Sequence, residues 1–410
     1  MSPTSLDRLL WQRHTLLLQG PMGPFFSLLA DTLRTHGQTV WKVNFNGGDD
    51  FFYRGEEVIR FKDPMEAWPE RVRGLMQQHR IDAIVLFGQS RQMHEMAIAE
   101  ARSLGVTIYV FEEGYVRPDY VTLEVGGVNA HSNVPRNRDF YTSIDPDPIP
   151  LPVPTHQEFN QLAGYAMAYA LARCLTHRAY PHYRHHRSLA PVKVGVKWLR
   201  GGFRKWRYRY QERDHLAELC APERHKRWFL APLQVYNDSQ IRRHSPYRDV
   251  GQFIETVLES FAAHAPPDTW MVFKHHPLDR PYSDYTALIS ERADALGIAD
   301  RVRYLHDQHL PTLLKHALGV VTVNSTTGLQ ALYHGTPVTT LGDCIYAVEG
   351  LVHPGPLDAF WGSPGTVDTA LFQRFRAYLV RETQLNASFY ADAPGLSSRE
   401  DVNLRRATVS

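Results

Sequence analysis

The stretch Val320–Leu332 constrains this chain most. Val320-Val321-Thr322-Val323 is an apolar, β-branched run; it breaks at Asn324-Ser325-Thr326-Thr327 and resumes in a helical pattern through Leu329-Gln330-Ala331-Leu332. A strand, a small polar turn and a helix in that order is the repeating piece of a parallel sheet. The same alternation runs through the first part of the sequence. His14–Gln19, Val40–Asn44, Ile81–Phe87 and Val106–Phe111 read as strands, with helices at Phe25–Thr35 and Met93–Leu104. A loop-rich piece follows, and five prolines between Pro146 and Pro154 end regular structure. The pattern restarts with strands at Arg227–Leu233, Trp270–Phe273, Val302–Tyr304 and Gly335–Leu341, and helices at Val250–Ala263, Tyr282–Leu296 and Leu310–Ala317. Repeated strand–helix–strand units predict two α/β domains with parallel sheets, whose ligands bind where the strands end. The expected divisions are 1–150, a helical segment 151–226, a second sheet domain 227–362 and a helical tail 363–410.

At 410 residues the chain supports two cores. No apolar run reaches the roughly 18–20 residues that cross a bilayer, and Met1–Arg8 lacks the features of a signal peptide. Cys174, Cys220 and Cys344 are too widely spaced for a disulfide framework or a zinc site, so a reducing cytoplasm is the expected compartment. The formal net charge is +2, but its distribution is uneven. From Arg173 to Arg213 there are twelve Lys/Arg and one acid, Glu212, which leaves the rest of the chain at −9. Arg, Tyr and Trp interleaved in this way suit stacking and phosphate contacts with single-stranded nucleic acid. They suit an anionic membrane equally, with Trp198, Phe203, Trp206 and Tyr208 at the headgroups and Arg204, Lys205, Arg207 and Arg209 as the cations.

Chemistry concentrates at strand ends. The turn Asn324, Ser325, Thr326, Thr327 opens a helix with hydroxyls and outward amides, an arrangement that binds anions or merely caps the helix. Lys274, His275, His276 and Pro277 follow a strand and can meet phosphate oxygens; adjacent histidines diverge, which disfavours a metal. In Gln234–Gln240, Asp238 is a candidate nucleophile or base, or the centre of an Asx-turn. Glu112 and Glu113 end another strand, and their alternation lets at most one face a ligand, with Arg117 nearby. Gly20, Met22 and Gly23 open a helix without a GxGxxG or P-loop pattern, and Asn46 lies in the next strand-end turn.

Together these motifs resemble the KpsS/LipB-type capsule polysaccharide proteins, in the same order from about residue 15 to 355. The residues that carry the resemblance are Gly20-Pro-Met-Gly-Pro-Phe-Phe, Lys42-Val-Asn-Phe-Asn-Gly-Gly-Asp, Phe111-Glu-Glu-Gly-Tyr-Val-Arg-Pro-Asp, Gln234 to Gln240, Lys274-His-His-Pro and Asn324-Ser-Thr-Thr-Gly-Leu-Gln-Ala-Leu. The resemblance implies a GT-B-like fold, two Rossmann-like domains facing a cleft with a basic helical insertion, and nucleotide on the second domain. It implies a retaining β-Kdo transferase that uses CMP-β-Kdo as donor substrate, with no cofactor or metal. The acceptor would be lysophosphatidylglycerol or a Kdo-lipid, at the cytoplasmic face of the inner membrane alongside capsule synthesis and export proteins, with no nucleic acid. By the same resemblance Asp238 is the nucleophile and Glu112, or else Glu113, the acid/base. His276, Lys274, His275, Pro277 and Asn324–Thr327 hold CMP; Gly20, Met22, Gly23, Asn46, Gln234, Gln240 and Arg117 contact substrate or acceptor.

Overall fold

The computed structural model describes residues 3–55, 57–146, 149–157, 159–184, 191–236, 238, 241 and 244–396, with backbone alone at 159 and 191–198. Its strands are β1 His14–Leu17, β2 Thr39–Asn44, β3 Val58–Arg60, β4 Ala83–Phe87, β5 Thr107–Glu113, β6 Tyr120–Val125, β7 Trp228–Pro232, β8 Trp270–Lys274, β9 Val302–Leu305, β10 Gly319–Thr322, β11 Val338–Thr340 and β12 Gln384–Asn386. They form two sheets in two compact units. Unit 1 comprises Met1–Asn133, Asp147–Pro191 and Ala377–Ser410; unit 2 comprises Val134–Pro146 and Val192–Arg376.

Unit 1 has the strand order β12-β6-β5-β4-β1-β2-β3. From β3 to β5 all pairs are parallel, whereas β6 and β12 add antiparallel strands at one edge. Both sheet faces are covered. Leu17, Val85, Tyr109 and Phe111 join Phe25, Phe26, Leu29 and Leu33 on one side. Leu16, Ile84 and Val110 join Trp68, Val72 and Ala97 on the other. The spacing of Phe25, Phe26, Leu29, Ala30 and Leu33 puts one apolar stripe of the Phe25–Thr35 helix on the sheet. Helix Gln92–Leu104 stops at Gly105, whose φ of 69° is the left-handed cap that lets the chain turn back into β5.

Unit 2 has the order β11-β10-β7-β8-β9, every pair parallel. Its core joins Phe229, Ala231, Met271, Phe273 and Val321 to Phe253, Ile254, Val257 and Phe261 of the Val250–His264 helix. In both units the first strand lies inside the sheet, with the second strand on one side and a later one on the other. The order therefore reverses between β1 and β4 in unit 1, and between β7 and β10 in unit 2. Crevices open at such reversals, beyond the carboxyl ends of the strands.

The two-sheet α/β class is as expected; several divisions differ. Residues 134–146 pack with unit 2 although they precede the proline-rich stretch. Arg138 pairs with Asp368 at 2.6 Å, and Tyr141 meets Phe375 edge to face at 5.1 Å. The expected 151–226 body is split: Phe159–Leu175 packs in unit 1, and residues from Val192 onward count with unit 2. The tail is not all helix, because Thr369–Glu382 is followed by β12, which pairs with β6. The piece after β5 read as loops contains β6, whose alternating Tyr120–Val125 pattern was masked by the turn residues before it.

The acid in the basic segment anchors one end of it. Glu212, just past the helix Pro191–Gln211, is buried and accepts hydrogen bonds from the backbone N–H of His306 (2.9 and 3.0 Å) and of Asp307 (3.3 Å). Its carboxylate also lies 2.6 Å from His306 Nδ1. Burial raises its pKa, but the bonds from His306 and Asp307 outweigh this and leave it lowered overall. A group lowered by folding stabilises above its unfolded pKa, and that contribution is lost as pH falls through the folded value. Glu212→Gln should therefore destabilise unit 2 by about 1–3 kcal/mol at neutral pH. In urea titrations followed by tryptophan fluorescence, the gap between wild type and variant should close as pH drops below the carboxylate range.

Candidate functional site

The carboxyl ends of the unit 2 strands gather most of the expected residues. Gln234 stands two residues past β7, at the reversal point, and only 8% of it is exposed. Its amide nitrogen donates to Asp238 Oδ2 at 3.0 Å and to Asn324 Oδ1 at 3.1 Å. Asn324 follows β10, so this one side chain spans the crevice between β7 and β10 and aims the Asp238 carboxylate. Gln234 Oε1 is buried without a hydrogen-bond partner among the described residues, an acceptor left for a donor to fill. The Asp238 backbone N–H closes a turn onto Val235 O at 2.9 Å. Gln240 lies outside the described residues, so its expected role is not placed.

The turn after β10 is tightly determined. Ser325 Oγ accepts from the Thr327 N–H at 3.2 Å and lies 3.1 Å from Thr327 Oγ1, while Tyr346 OH donates to Ser325 O at 2.6 Å. The Ser325 hydroxyl therefore caps its own turn rather than standing open. The second residue of helix Thr327–Tyr333 is Gly328, where a Cβ would lie 2.2 Å from the Tyr346 hydroxyl. Thr326 and Thr327 remain partly exposed beside it.

From Lys274, the last residue of β8, to Pro277 the four residues separate by burial. His275 is interior: its Nδ1 lies 2.6 Å from Tyr304 OH, and its ring is flanked by His306 at 5.3 Å between centroids. Burial, then the proximity of His306, lowers its pKa to about 3, so it is neutral. The phosphate contact expected of His275 does not fit this position, because an uncharged ring held inside the fold gives an anion little. Lys274 is also buried, and desolvation lowers its pKa to about 8 against the pull of Asp307 and Glu212. His276 is partly exposed and caps the short Pro277–Asp279 turn by accepting from the Leu278 N–H at 3.2 Å; Pro277 is exposed.

Unit 1 builds a second polar strand-end cluster. Gln19, two residues past β1, donates to Asp49 (3.2 and 3.3 Å), Tyr169 OH (3.1 Å) and Tyr183 OH (3.1 Å), and accepts from Arg91 at 2.9 Å. Asn46 caps the Gly47–Phe52 helix and donates to Tyr169 OH at 2.7 Å and Asp49 at 3.2 Å. It is buried, so its groups serve the fold and the substrate contact expected of it is not available. Lys42 is buried beneath, donating to Asn44 Oδ1 at 2.9 Å, with its pKa lowered to about 8 by burial. Gly20, Gly23, Lys42, Asp49 and Tyr169 line one small pocket, while Met22 is not among its walls. Gly23 has a φ of 139°, and Gly20 lies so close to the Phe26 ring that a Cβ would stand at 2.7 Å.

Glu112 and Glu113 end β5 on opposite faces, as alternation requires. Glu112 Oε2 lies 3.8 Å from where a Cβ on Gly88 would stand, so it leans over the end of β4 toward the reversal point. Glu113 shares the face of Tyr109 and Phe111, and burial raises its pKa while Arg117 opposes. Arg117 is exposed and donates to Gly114 O at 3.1 Å. Among the described residues no group of three His, Cys, Asp or Glu is placed to hold a metal ion. Sequence reading missed Gln19, Arg91, Tyr169 and His306 as site-forming residues, and held Asp49 only as the last residue of the strand-end turn that begins at Asn44.

The chain matches the family model described as capsule polysaccharide biosynthesis protein over residues 82–390. It is 40% identical over 390 residues to the capsule polysaccharide export protein KpsS of Escherichia coli, covering 95% of this chain and all of that one. It is 40% identical over 388 residues to the capsule polysaccharide modification protein LipB of Neisseria meningitidis serogroup B, covering 92% of each. Among solved structures, the Thermosulfurimonas dismutans KpsC β-Kdo 2,7-transferase aligns with 97% of this chain and 99% of its own at a TM-score of 0.44 and 15% identity. By the family model and by its near full-length kinship with KpsS and LipB, the chain belongs to the capsule polysaccharide biosynthesis protein family.

Proposed function

We propose that this protein is a retaining β-Kdo transferase that moves Kdo from CMP-β-Kdo to lysophosphatidylglycerol and so starts the poly-Kdo linker of a capsule. The observation that carries this reading is the Gln234 amide holding Asp238 and Asn324 together at the unit 2 reversal point. A nucleophilic carboxylate needs a fixed direction, and an uncharged amide gives it one without neutralising it. In the proposed reaction an Asp238 oxygen attacks the anomeric carbon as the bond from that carbon to the CMP phosphate oxygen breaks, and CMP leaves. The acceptor hydroxyl then attacks the same carbon, its proton passes to Glu112, and the Asp238 carboxylate is released. Two inversions give net retention. Lys274, His276 and Thr326–Thr327 stabilise the departing phosphate. Glu112 is preferred to Glu113 because it leans over the strand ends toward the reversal point.

A second reading is a non-catalytic adaptor in capsule export, since one relative is named an export protein. The two are separated by incubating the protein with CMP-Kdo and lysophosphatidylglycerol and looking for a Kdo-bearing lipid by mass spectrometry. Asp238→Ala should cut product formation roughly a thousandfold or more while CMP still binds. Near-normal turnover in Asp238→Asn would remove the nucleophile assignment, and absence of product from the folded wild type would favour the adaptor. Glu112→Gln should slow turnover far more than Glu113→Gln.

Lys274 gives a pH signature. Its charged form attracts phosphate, so its contribution to CMP affinity is present below pH about 8 and lost as pH rises through that value. Calorimetric titration of CMP between pH 7 and 9 should show weakening that Lys274→Gln abolishes; an unchanged pH dependence in the variant would remove Lys274 from the phosphate site.

A further inference from the structure

The helix Pro191–Gln211 has two contrasting faces within unit 2. One is seated on the unit. Gly201 approaches so close to Pro281 that a Cβ would stand 2.9 Å from its ring. Arg204 donates to Arg280 O at 2.9 Å and Ser283 O at 3.2 Å, and pairs with Asp284 at 3.3 Å. Tyr208 stacks on the His306 ring with centroids 3.6 Å apart. Positions 201, 204 and 208, continued by Glu212, follow the period of about 3.6 that marks one side of a helix. Tyr208 and Arg204, expected to meet a surface, are thus turned inward. The side chain of Trp198 lies outside the described residues.

The opposite side holds Leu199, Phe203, Trp206 and Tyr210, which are 78%, 63%, 70% and 67% exposed. Their spacing of four, three and four aligns them in a single stripe. Exposed cations flank it, Arg200 and Arg207 along one edge, Lys205 and Arg209 along the other. The helix contains no Asp or Glu. Among the described residues no helix is long and apolar enough to cross a membrane, so this face does not belong to a span.

We infer that this stripe docks on an anionic lipid surface, with the helix lying in the plane of the interface. An apolar ridge between two rows of cations matches the layering of acyl chains beneath anionic headgroups. A protein partner or a second copy would cover the ridge but gives no reason for cations on both edges and no acid. Single-stranded nucleic acid would stack on rings, and Leu199 offers none. The exposed stripe Met167, Leu171 and Leu175 on the helix Phe159–Leu175 lacks this complement, since Arg173 is that helix's one charged residue. The inference rests on the proposed lipid acceptor for its biological sense and on the helix geometry for its substance.

Flotation of the full-length protein with vesicles tests it. Wild type should float with phosphatidylcholine vesicles containing phosphatidylglycerol and not with phosphatidylcholine alone. The pair Phe203→Gln and Trp206→Gln, and separately Lys205→Glu with Arg209→Glu, should each lower partitioning about tenfold or more. These side chains point away from the unit, so circular dichroism should show an intact fold. Partitioning unchanged in the glutamine pair, equal binding to neutral vesicles, or no flotation of wild type would overturn the inference. A wild-type dimer that the glutamine pair dissociates, seen by light scattering, would reassign the stripe to a second copy. Kdo transfer to a short-chain, detergent-dispersed acceptor, unchanged in the glutamine pair, reports on catalysis alone: flotation without product leaves docking standing and removes the transferase reading, and product without flotation does the reverse.

Discussion

A buried glutamine at each sheet's reversal point is the interaction on which the strand-end chemistry depends. Gln19 and Gln234 stand two residues past the first strand of their units and reach across to the neighbour on the far side of the reversal. A buried amide suits this position because it offers two donors and an acceptor without carrying charge, so it can bridge several polar groups at little desolvation cost. In unit 1 the oxygen of Gln19 is filled by Arg91, and the amide closes a network of tyrosines around Asp49. In unit 2 the oxygen of Gln234 has no partner among the described residues. The same device is complete in one unit and open in the other.

Burial sorts the cations of the unit 2 site into different kinds. Lys274, His275 and His276 are adjacent in sequence, yet one is a lysine poised near neutrality, one a neutral interior ring and one a partly exposed turn cap. β8 ends at Lys274, so the chain leaves the sheet after the first of the three. Three adjacent basic residues thereby acquire three different surroundings. The motif reads as a single phosphate grip only while depth is ignored.

Depth also decides what was legible in the sequence. The strands and most helices followed from apolar runs and period, and Val250–His264 or Phe25–Thr35 needed nothing more. Turns rich in glycine and polar residues hid short elements, among them Gly47–Phe52 and β3, where local signals are weak and the sheet supplies the stability. The site motifs were visible as residue types, but their division into ligand-facing and structural groups was not. Asn46 and His275 looked like binding residues because their neighbours did; their partners, Tyr169 and Tyr304, come from distant parts of the chain. Tyr208 looked like a surface aromatic until His306, nearly a hundred positions away, supplied the ring beneath it.

The Glu212 clamp ties the outward stripe of its helix to the site in a mechanical sense. The carboxylate grips the backbone where β9 ends, on the same side of the sheet as Gln234 and Lys274. A surface seized by Leu199, Phe203 and Trp206 is therefore not at the end of a tether. It is coupled through one rigid helix to the strand ends, so whatever the stripe rests on sets the heading of the unit 2 crevice. Glu212 shares that hold with Arg204 and Tyr208, which seat the same helix on the unit.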